Sequence, residues 1–412
     1  MIRHPIDLIG AIAAFGLVSF ASAPLRADVI TEWDIVVCQI TAHAQIGTPP
    51  ANRLMAIAQT AVYEAANAIT HRYPDGSTHL SAAPGASLDA AVAAANHVSL
   101  TRLLPMQRAA IDAAYQAALA KIADGPARAN GVVVGESAAR AVLTARADDG
   151  AATPERYRPY ATAGVYVPTA IPIASQWPQR KPWLMSSPEH FRPGPPPALT
   201  SETWTRDYNE VRNLGAKNST ARTPAQTAMA RFWETTGPQI YHGVIRSVAN
   251  APGRDVMRNA RLFAAVAQAS DDAVIAVFDA KYRYNFWRPI TAIRNGDADG
   301  NNDTEREADW APFIDTPMHP EYACAHCIVA ATVGTVLAAE VGVEPMPLLT
   351  TRSPTADGAA RTWLNIEDFI AEVSNARIYD GVHYRNSAEV GTVMGRRIGQ
   401  LAAAHWFSRT GD

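Results

Sequence analysis

Apolar residues recur at helical spacing along most of the chain. Between positions 51 and 69, Leu54, Ile57, Ala61, Ala65 and Ile69 return every three or four residues, which predicts an amphipathic helix. Helices are expected at 88–104, 107–123 and 127–146, the last closed by the turn Asp148-Asp149-Gly150. Two more are expected at 224–235 and 254–284, the second with Phe263, Val266, Ala273 and Val277 along one face. Ile328, Val329, Val333, Val336 and Leu337 predict a helix after Cys327, and Val390, Met394, Ile398 and Leu401 predict a final one. Strand-forming runs are few and alanine is abundant, so the predicted class is all-α. Tyr63, Glu64, Asn67 and His97 fall within these helices and are read as core or surface polar groups without chemistry.

The pattern breaks between 153 and 201. Pro168, Pro172, Pro178, Pro182, Pro188, Pro193 and Pro195 to Pro197 forbid long helices there. Trp177, Trp183 and Phe191 among them are too apolar for a loose linker, so an ordered extended segment pinned across the helical body is expected. Three stretches follow: a leader at 1–27, an N-terminal helical region at 28–223 that includes this segment, and a C-terminal helical core at 224–412. The leader has Arg3 and His4, an apolar run from Leu8 to about Ala21, and small residues up to Ala27, the pattern of an export signal. Its about 14 apolar residues fall short of the ~20 that a spanning helix needs. No later stretch is long and apolar enough to span, so the mature protein is expected to be soluble in the periplasm or secreted. The net charge of -3, without a basic stripe, argues against nucleic acid as a partner.

Any anion site must therefore be local, and the sequence offers one. Lys281 stands seven residues before Arg288, which precedes Pro289; both cations are expected on one face at the end of a helix that Pro289 stops. His326, Arg377 and His383 follow. Three permanent cations with two histidines describe a site for a tetrahedral oxyanion, because Arg donates in forked pairs and Lys acts as a point charge. The histidines add a nucleophile or metal ligand and a proton donor. His326 is expected in the first turn of its helix, where unpaired amides favour an anion. Gly381 permits a turn that would bring Arg377 and His383 to a common point.

Two other motifs compete. The run from Asn295 to Asp303 resembles a calcium loop, but with Asp299-Gly300 at positions five and six, position twelve is Arg306, so a solvated turn is expected. Cys324-Ala-His-Cys327 has the spacing of a thiol oxidoreductase; it could equally form a local disulfide or stay buried as thiols.

The order Lys281, Arg288-Pro289, His326, Arg377 and His383 resembles the superfamily of vanadium-dependent haloperoxidases and type 2 phosphatidic acid phosphatases, and the soluble bacterial haloperoxidase-like branch in particular. The resemblance implies a helical bundle that binds vanadate, or phosphate in the same site. It implies that His383 is the axial vanadium ligand, that His326 acts in acid-base chemistry, and that Lys281, Arg288 and Arg377 hold the oxygens. Cys324 and Ala325 stand where the family has Ser and Gly, and would join the oxyanion site, with a thiol as a weaker donor. Ser387 stands where the family has an Asp that orients the second histidine; Asp380 or Glu389 are the candidates to replace it. The implied activity is oxidation of halide by hydrogen peroxide. The alternatives are a soluble acid phosphatase working through a phosphohistidine, and an oxyanion binder without turnover.

Overall fold

The computed structural model describes residues 28–74 and 79–408; the expected leader lies outside them. Thirteen α-helices are present among the described residues, with one short hairpin, so the all-α expectation holds. The first five are α1 (Val29–His43), α2 (Thr48–Thr70), α3 (Leu88–Leu103), α4 (Arg108–Leu119) and α5 (Pro126–Ala145). After the proline-rich segment come α6 (Glu202–Leu214), α7 (Pro224–Trp233), α8 (Gln239–Ala249) and α9 (Val256–Tyr284). The rest are α10 (Pro289–Arg294), α11 (Ala325–Val341), α12 (Ile366–Tyr379) and α13 (Arg385–Phe407). Strands β1 (Leu349–Arg352) and β2 (Ala360–Trp363) pair antiparallel between α11 and α12.

α9 is the axis of the molecule. It starts at Asp255, whose side chain accepts from the Arg258 amide at 2.8 Å, and ends at Asn285 in the left-handed conformation. It packs against α2 on one side and α11 and α13 on the other. α3 and α5 complete the packing around α2, and α11 lies against α13. That last contact is backbone-close: a Cβ at Gly395 would stand 2.2 Å from the Ile328 carbonyl oxygen, so only glycine fits.

The expected extended segment is ordered and docked on α9. Asp272, fully buried, accepts the backbone amides of Trp183, Leu184 and Met185 at 2.7, 2.8 and 2.9 Å. Arg180 bridges Asp271 of α9 at 2.6 Å and Asp149 at 2.7 Å, all three buried. Arg192 meets Asp279 with two bonds of 2.6 and 2.7 Å. Prolines leave this segment without a helical ladder, so its amides find partners in α9 carboxylates instead. The turn expected after α5 thus also supplies a buried anchor, Asp149.

The run from Asn295 to Asp303 forms a short turn without a calcium-loop geometry, but it is less solvated than expected. Asp299 is buried and accepts from Trp204 Nε1 at 2.9 Å and Thr304 Oγ1 at 2.8 Å.

α1 and α8 are joined by a buried polar cluster. Asp34 accepts from His242 Nδ1 at 2.5 Å, Arg246 at 2.5 Å and Gln59 at 3.3 Å, with Cys38 Sγ 3.8 Å from Arg246. Burial opposes charging His242, but the Asp34 carboxylate beside it and Cys38 outweigh burial and raise its pKa to about 10. A folded pKa above the unfolded value of about 6.5 adds stability that is fully present below pH 6.5 and is lost as pH rises through 10. Thermal melts between pH 6.5 and 10 should thus show a decline that is absent in His242→Gln, whose melting temperature is also lower at pH 6.5. Equal slopes for the two proteins would refute the assignment.

Candidate active site

The five expected side chains converge, though Arg288 arrives by a different route from the one expected. Lys281 lies in the last turn of α9, fully buried, and donates to the carbonyls of Pro320 at 3.0 Å and Glu321 at 2.7 Å. Arg288 is not on that helix, which ends three residues earlier at Asn285. It precedes α10, and Pro289 opens this helix at its first position rather than stopping the previous one. The extended link carries Arg288 inward, where it donates to the His319 carbonyl at 2.9 Å and the Val382 carbonyl at 2.8 Å.

His326 sits in the first turn of α11 as expected, and its Nε2 donates to the Thr235 carbonyl at 3.0 Å. Arg377 lies in the last turn of α12, donates to the Trp233 carbonyl at 2.7 Å and pairs with Asp380 at 2.5 Å. The turn expected at Gly381 is real. Its φ is 78°, and a Cβ there would lie 2.3 Å from the Gly215 carbonyl oxygen, so glycine is required twice over. The chain thereby reverses after Arg377 and delivers His383 to the same cavity.

That cavity has a volume of about 280 Å³, and Ala325, His326, Arg377 and His383 contribute to its wall together with His319. Lys281 and Arg288 stand behind these side chains. The Nζ and guanidinium hydrogen bonds above place them against the loop 319–321 and His383.

Neither carboxylate proposed from the sequence supports His383. Asp380 is committed to Arg377, and Glu389 is exposed, 3.8 Å from Arg206. The support comes from Glu321, whose Oε1 accepts from His383 Nδ1 at 2.7 Å and from the Tyr384 amide at 3.2 Å. The expected loss of carboxylate support at Ser387 is thus made good from another segment, and Ser387 itself is buried beside Glu321. His319 was also missed. Its Nδ1 faces Arg288 Nη2 at 2.9 Å, steadying the guanidinium. The segment His319-Pro320-Glu321 was visible in the sequence, and the missing Asp at 387 was the signal that a carboxylate should be sought elsewhere.

Cys324 departs from expectation too. It forms a disulfide with Cys327, both residues fully buried, and its sulfur accepts the Cys327 amide. No thiol proton remains to donate to an oxyanion, and the Cys324 amide is taken by the Ser387 carbonyl at 3.2 Å. The local-disulfide alternative is therefore the one realised, and a pair buried this way lacks the accessibility that thiol exchange needs. The amides of Ala325 and His326, at the start of α11, have no partner within their own helix.

Electrostatics follow from burial. Lys281 is pushed well below its usual pKa by burial and by Arg288 and Arg377, against the pull of Glu321. Burial lowers Arg288 to about 10. Burial and the neighbouring cations hold His319, His326 and His383 well below 6.5, so all three are neutral at pH 7. Burial raises Glu321 and Asp380, each to about 7. Three buried cations thus face at most two carboxylates, and Arg377 Nε has no hydrogen-bond partner among the described residues. The donor set and its charge imbalance fit a small oxyanion.

With its fold and geometry set out, the chain can be placed by class: an all-helical protein with the vanadium haloperoxidase fold. The sequence resemblance is confirmed by comparison with known proteins. Residues 261–410 match the VCPO second helical-bundle domain. The vanadium chloroperoxidase of Curvularia inaequalis is 28% identical over 174 residues, covering 35% of this chain and 29% of that protein. The matched stretch thus spans less than a third of this relative. Among solved structures, the first bacterial vanadium-dependent iodoperoxidase superposes with a TM-score of 0.78 at 21% identity, covering 93% of this chain and 97% of that one. An apo-type bacterial vanadium-dependent chloroperoxidase gives 0.69 at 17% identity, covering 87% of this chain and 94% of that one.

An oxyanion bound among these cations stabilises the folded state by mass action. At a free concentration of about 100 times its Kd, phosphate or vanadate contributes about 2.7 kcal/mol. The expected outcome is a melting temperature that climbs with either anion but not with equal ionic strength of chloride, and a climb that Arg377→Ala abolishes. A response indistinguishable from that to chloride would count against the site.

Proposed function

We propose that this chain is a vanadium-dependent haloperoxidase that oxidises halide with hydrogen peroxide. The observation that carries the reading is the pairing of His383 with Glu321 beside three buried cations. Glu321 holds the Nδ1 proton, so the Nε2 lone pair is the free ligating atom, and a carboxylate behind a ligating histidine raises its basicity. Arg288 Nη1, 3.3 Å from that Nε2, gives up this long contact when an oxyanion arrives.

Vanadate, when bound, supplies the centre that polarises peroxide for attack by halide. The side chains do the rest. Lys281, Arg288 and Arg377 offset the negative charge, aided by the Ala325 and His326 amides. Cys324 contributes through the disulfide that shapes the start of α11 rather than as a donor. His326, held neutral first by burial and then by Arg377 and the other cations, regains proton affinity when an anion offsets those cations. It can then deliver a proton to the departing peroxide oxygen. The balance is halide, hydrogen peroxide and one proton giving hypohalous acid and water, with two electrons passing from halide to the O–O bond. The disulfide also supports peroxide chemistry, because it leaves no free thiol in this wall to be oxidised.

In this reading, residues 1–27 direct export to the periplasm or beyond, and 224–412 form the core that holds the site against the 28–223 region. Among the described residues no helix is long and apolar enough to cross a membrane.

The deciding experiment uses protein purified without phosphate. Bromination of a reporter dye should require bromide, peroxide and added vanadate, and should vanish in His383→Ala. Phosphomonoester hydrolysis inhibited by vanadate, without bromination, would instead make the protein an acid phosphatase using His383 as nucleophile. Silence in both assays, together with binding of added phosphate, would leave an oxyanion binder.

Glu321→Gln should weaken vanadate binding about 10- to 100-fold, the usual cost of losing a carboxylate behind a metal-bound histidine. Equilibrium dialysis of vanadate reads this without turnover, and Glu321→Asp should recover part of the loss. An unchanged affinity in Glu321→Gln would reject the role given to that carboxylate.

A further inference from the structure

The buried cluster that joins α1 and α8 lies apart from the oxyanion site and has the composition of a metal centre. Asp34 and Cys38 stand four residues apart on α1, so they share one face, and His242 reaches them from α8. One carboxylate oxygen, the thiol sulfur and one imidazole nitrogen all lie within 4.8 Å of one another, and the three residues are buried. Cys38 is the free cysteine of the chain, since the other two form the Cys324–Cys327 disulfide. An ion-pair cluster needs no thiol, and a sulfur 3.8 Å from Arg246 adds little to one. A mixed oxygen, nitrogen and sulfur donor set suits a borderline-soft divalent ion such as zinc, whereas magnesium and calcium take oxygen ligands. Gln59, buried on α2, already touches Asp34 at 3.3 Å, and a half-turn of its amide presents an oxygen as a fourth donor.

We infer that Asp34, Cys38 and His242 form a site for a zinc-like divalent ion that clamps α1 to α8. The ion enters where Arg246 stands. That guanidinium bonds Asp34 Oδ2, and with its side chain 22% exposed it is the member of the cluster that can swing out to water. In exchange, bonds form from the ion to carboxylate oxygen, thiolate sulfur and imidazole nitrogen. The proton shared by His242 and Asp34 and the proton of the thiol leave to solvent. The two charges of the ion then meet one carboxylate and one thiolate, so the cluster is neutral where His242 and Arg246 had crowded a single carboxylate. Tetrahedral zinc ligands stand roughly 3.5 Å apart, from bonds of about 2.0 to 2.3 Å, and side-chain shifts of about 1 Å complete the site. Tyr241, the neighbour of His242 on α8, lines the active-site cavity, so the clamp also fixes one wall of that cavity.

The test titrates chelator-treated protein with cobalt(II) and with zinc, each alone. One equivalent of cobalt is expected to give a thiolate-to-metal charge-transfer band in the near ultraviolet, which only Cys38 can supply. Zinc should bleach the band by displacing cobalt. Cys38→Ser should remove the band and weaken zinc binding, read by equilibrium dialysis, by roughly tenfold or more. Arg246→Ala, which takes away the competing cation, should instead tighten zinc binding by about tenfold. Absence of the band in the wild-type protein overturns the inference, as does zinc binding that Cys38→Ser leaves unchanged, the ion then residing on other groups such as the cavity histidines. If Cys38→Ser does not fold, Arg246→Ala decides: tighter binding upholds the site, and unchanged or weaker binding overturns it. No readout passes through vanadate, peroxide or halide, so the result is independent of the haloperoxidase reading.

Discussion

Unbalanced positive charge in a dry place is the constraint on which the site depends. Lys281, Arg288 and Arg377 are each at most 1% exposed, and burial of a cation is costly unless partners surround it. The chain meets that cost largely with backbone carbonyls, those of His319, Pro320, Glu321, Val382 and Trp233. Carbonyl dipoles hold a cation in place without cancelling its charge. The two carboxylates present, Glu321 and Asp380, are themselves buried, and each is tied to one function: Glu321 to His383, Asp380 to Arg377. The arrangement preserves a net attraction for an anion that full ion pairing would have extinguished.

The scaffold that imposes this is α9. Its deep end supplies Lys281, Val274 and Phe278 to the site, while Asp271, Asp272 and Asp279 hold the proline-rich segment on its surface. One helix therefore both carries Lys281 and fixes the strap that contributes Ile173 to the cavity wall.

Much of this was legible in the sequence, and the limits have physical causes. The periodicity of Leu54 to Ile69 and Phe263 to Val277 reported α2 and α9, although both are buried on nearly every side rather than along one amphipathic face. α1, α6, α8, α10 and α12 were not predicted: α10 has only six residues, α6 is rich in polar ones, and for the others tertiary packing decides the conformation more than pattern does. The spacing of the cations and histidines pointed to side chains that the fold brings together around one cavity. Local spacing misled for Arg288, since the helix ends at Asn285, in a left-handed conformation that periodicity does not register. Glu321 was hidden for a different reason: it meets His383 across 62 residues of chain, and a long-range partner leaves no local pattern.

The strap has a kinetic consequence. Ile173 must meet Val274 and Phe278 roughly a hundred residues on, and His383 must find Glu321, before the cavity has walls at all. Closing loops of that size has an entropic cost that is recovered only once native contacts form, which slows chains dominated by distant pairings. The helices can consolidate early from local contacts, but the cavity belongs to the last step of assembly. Occupancy of the site is therefore a report that the entire chain has reached its native topology, and a partly folded molecule holds its cations where water still screens them.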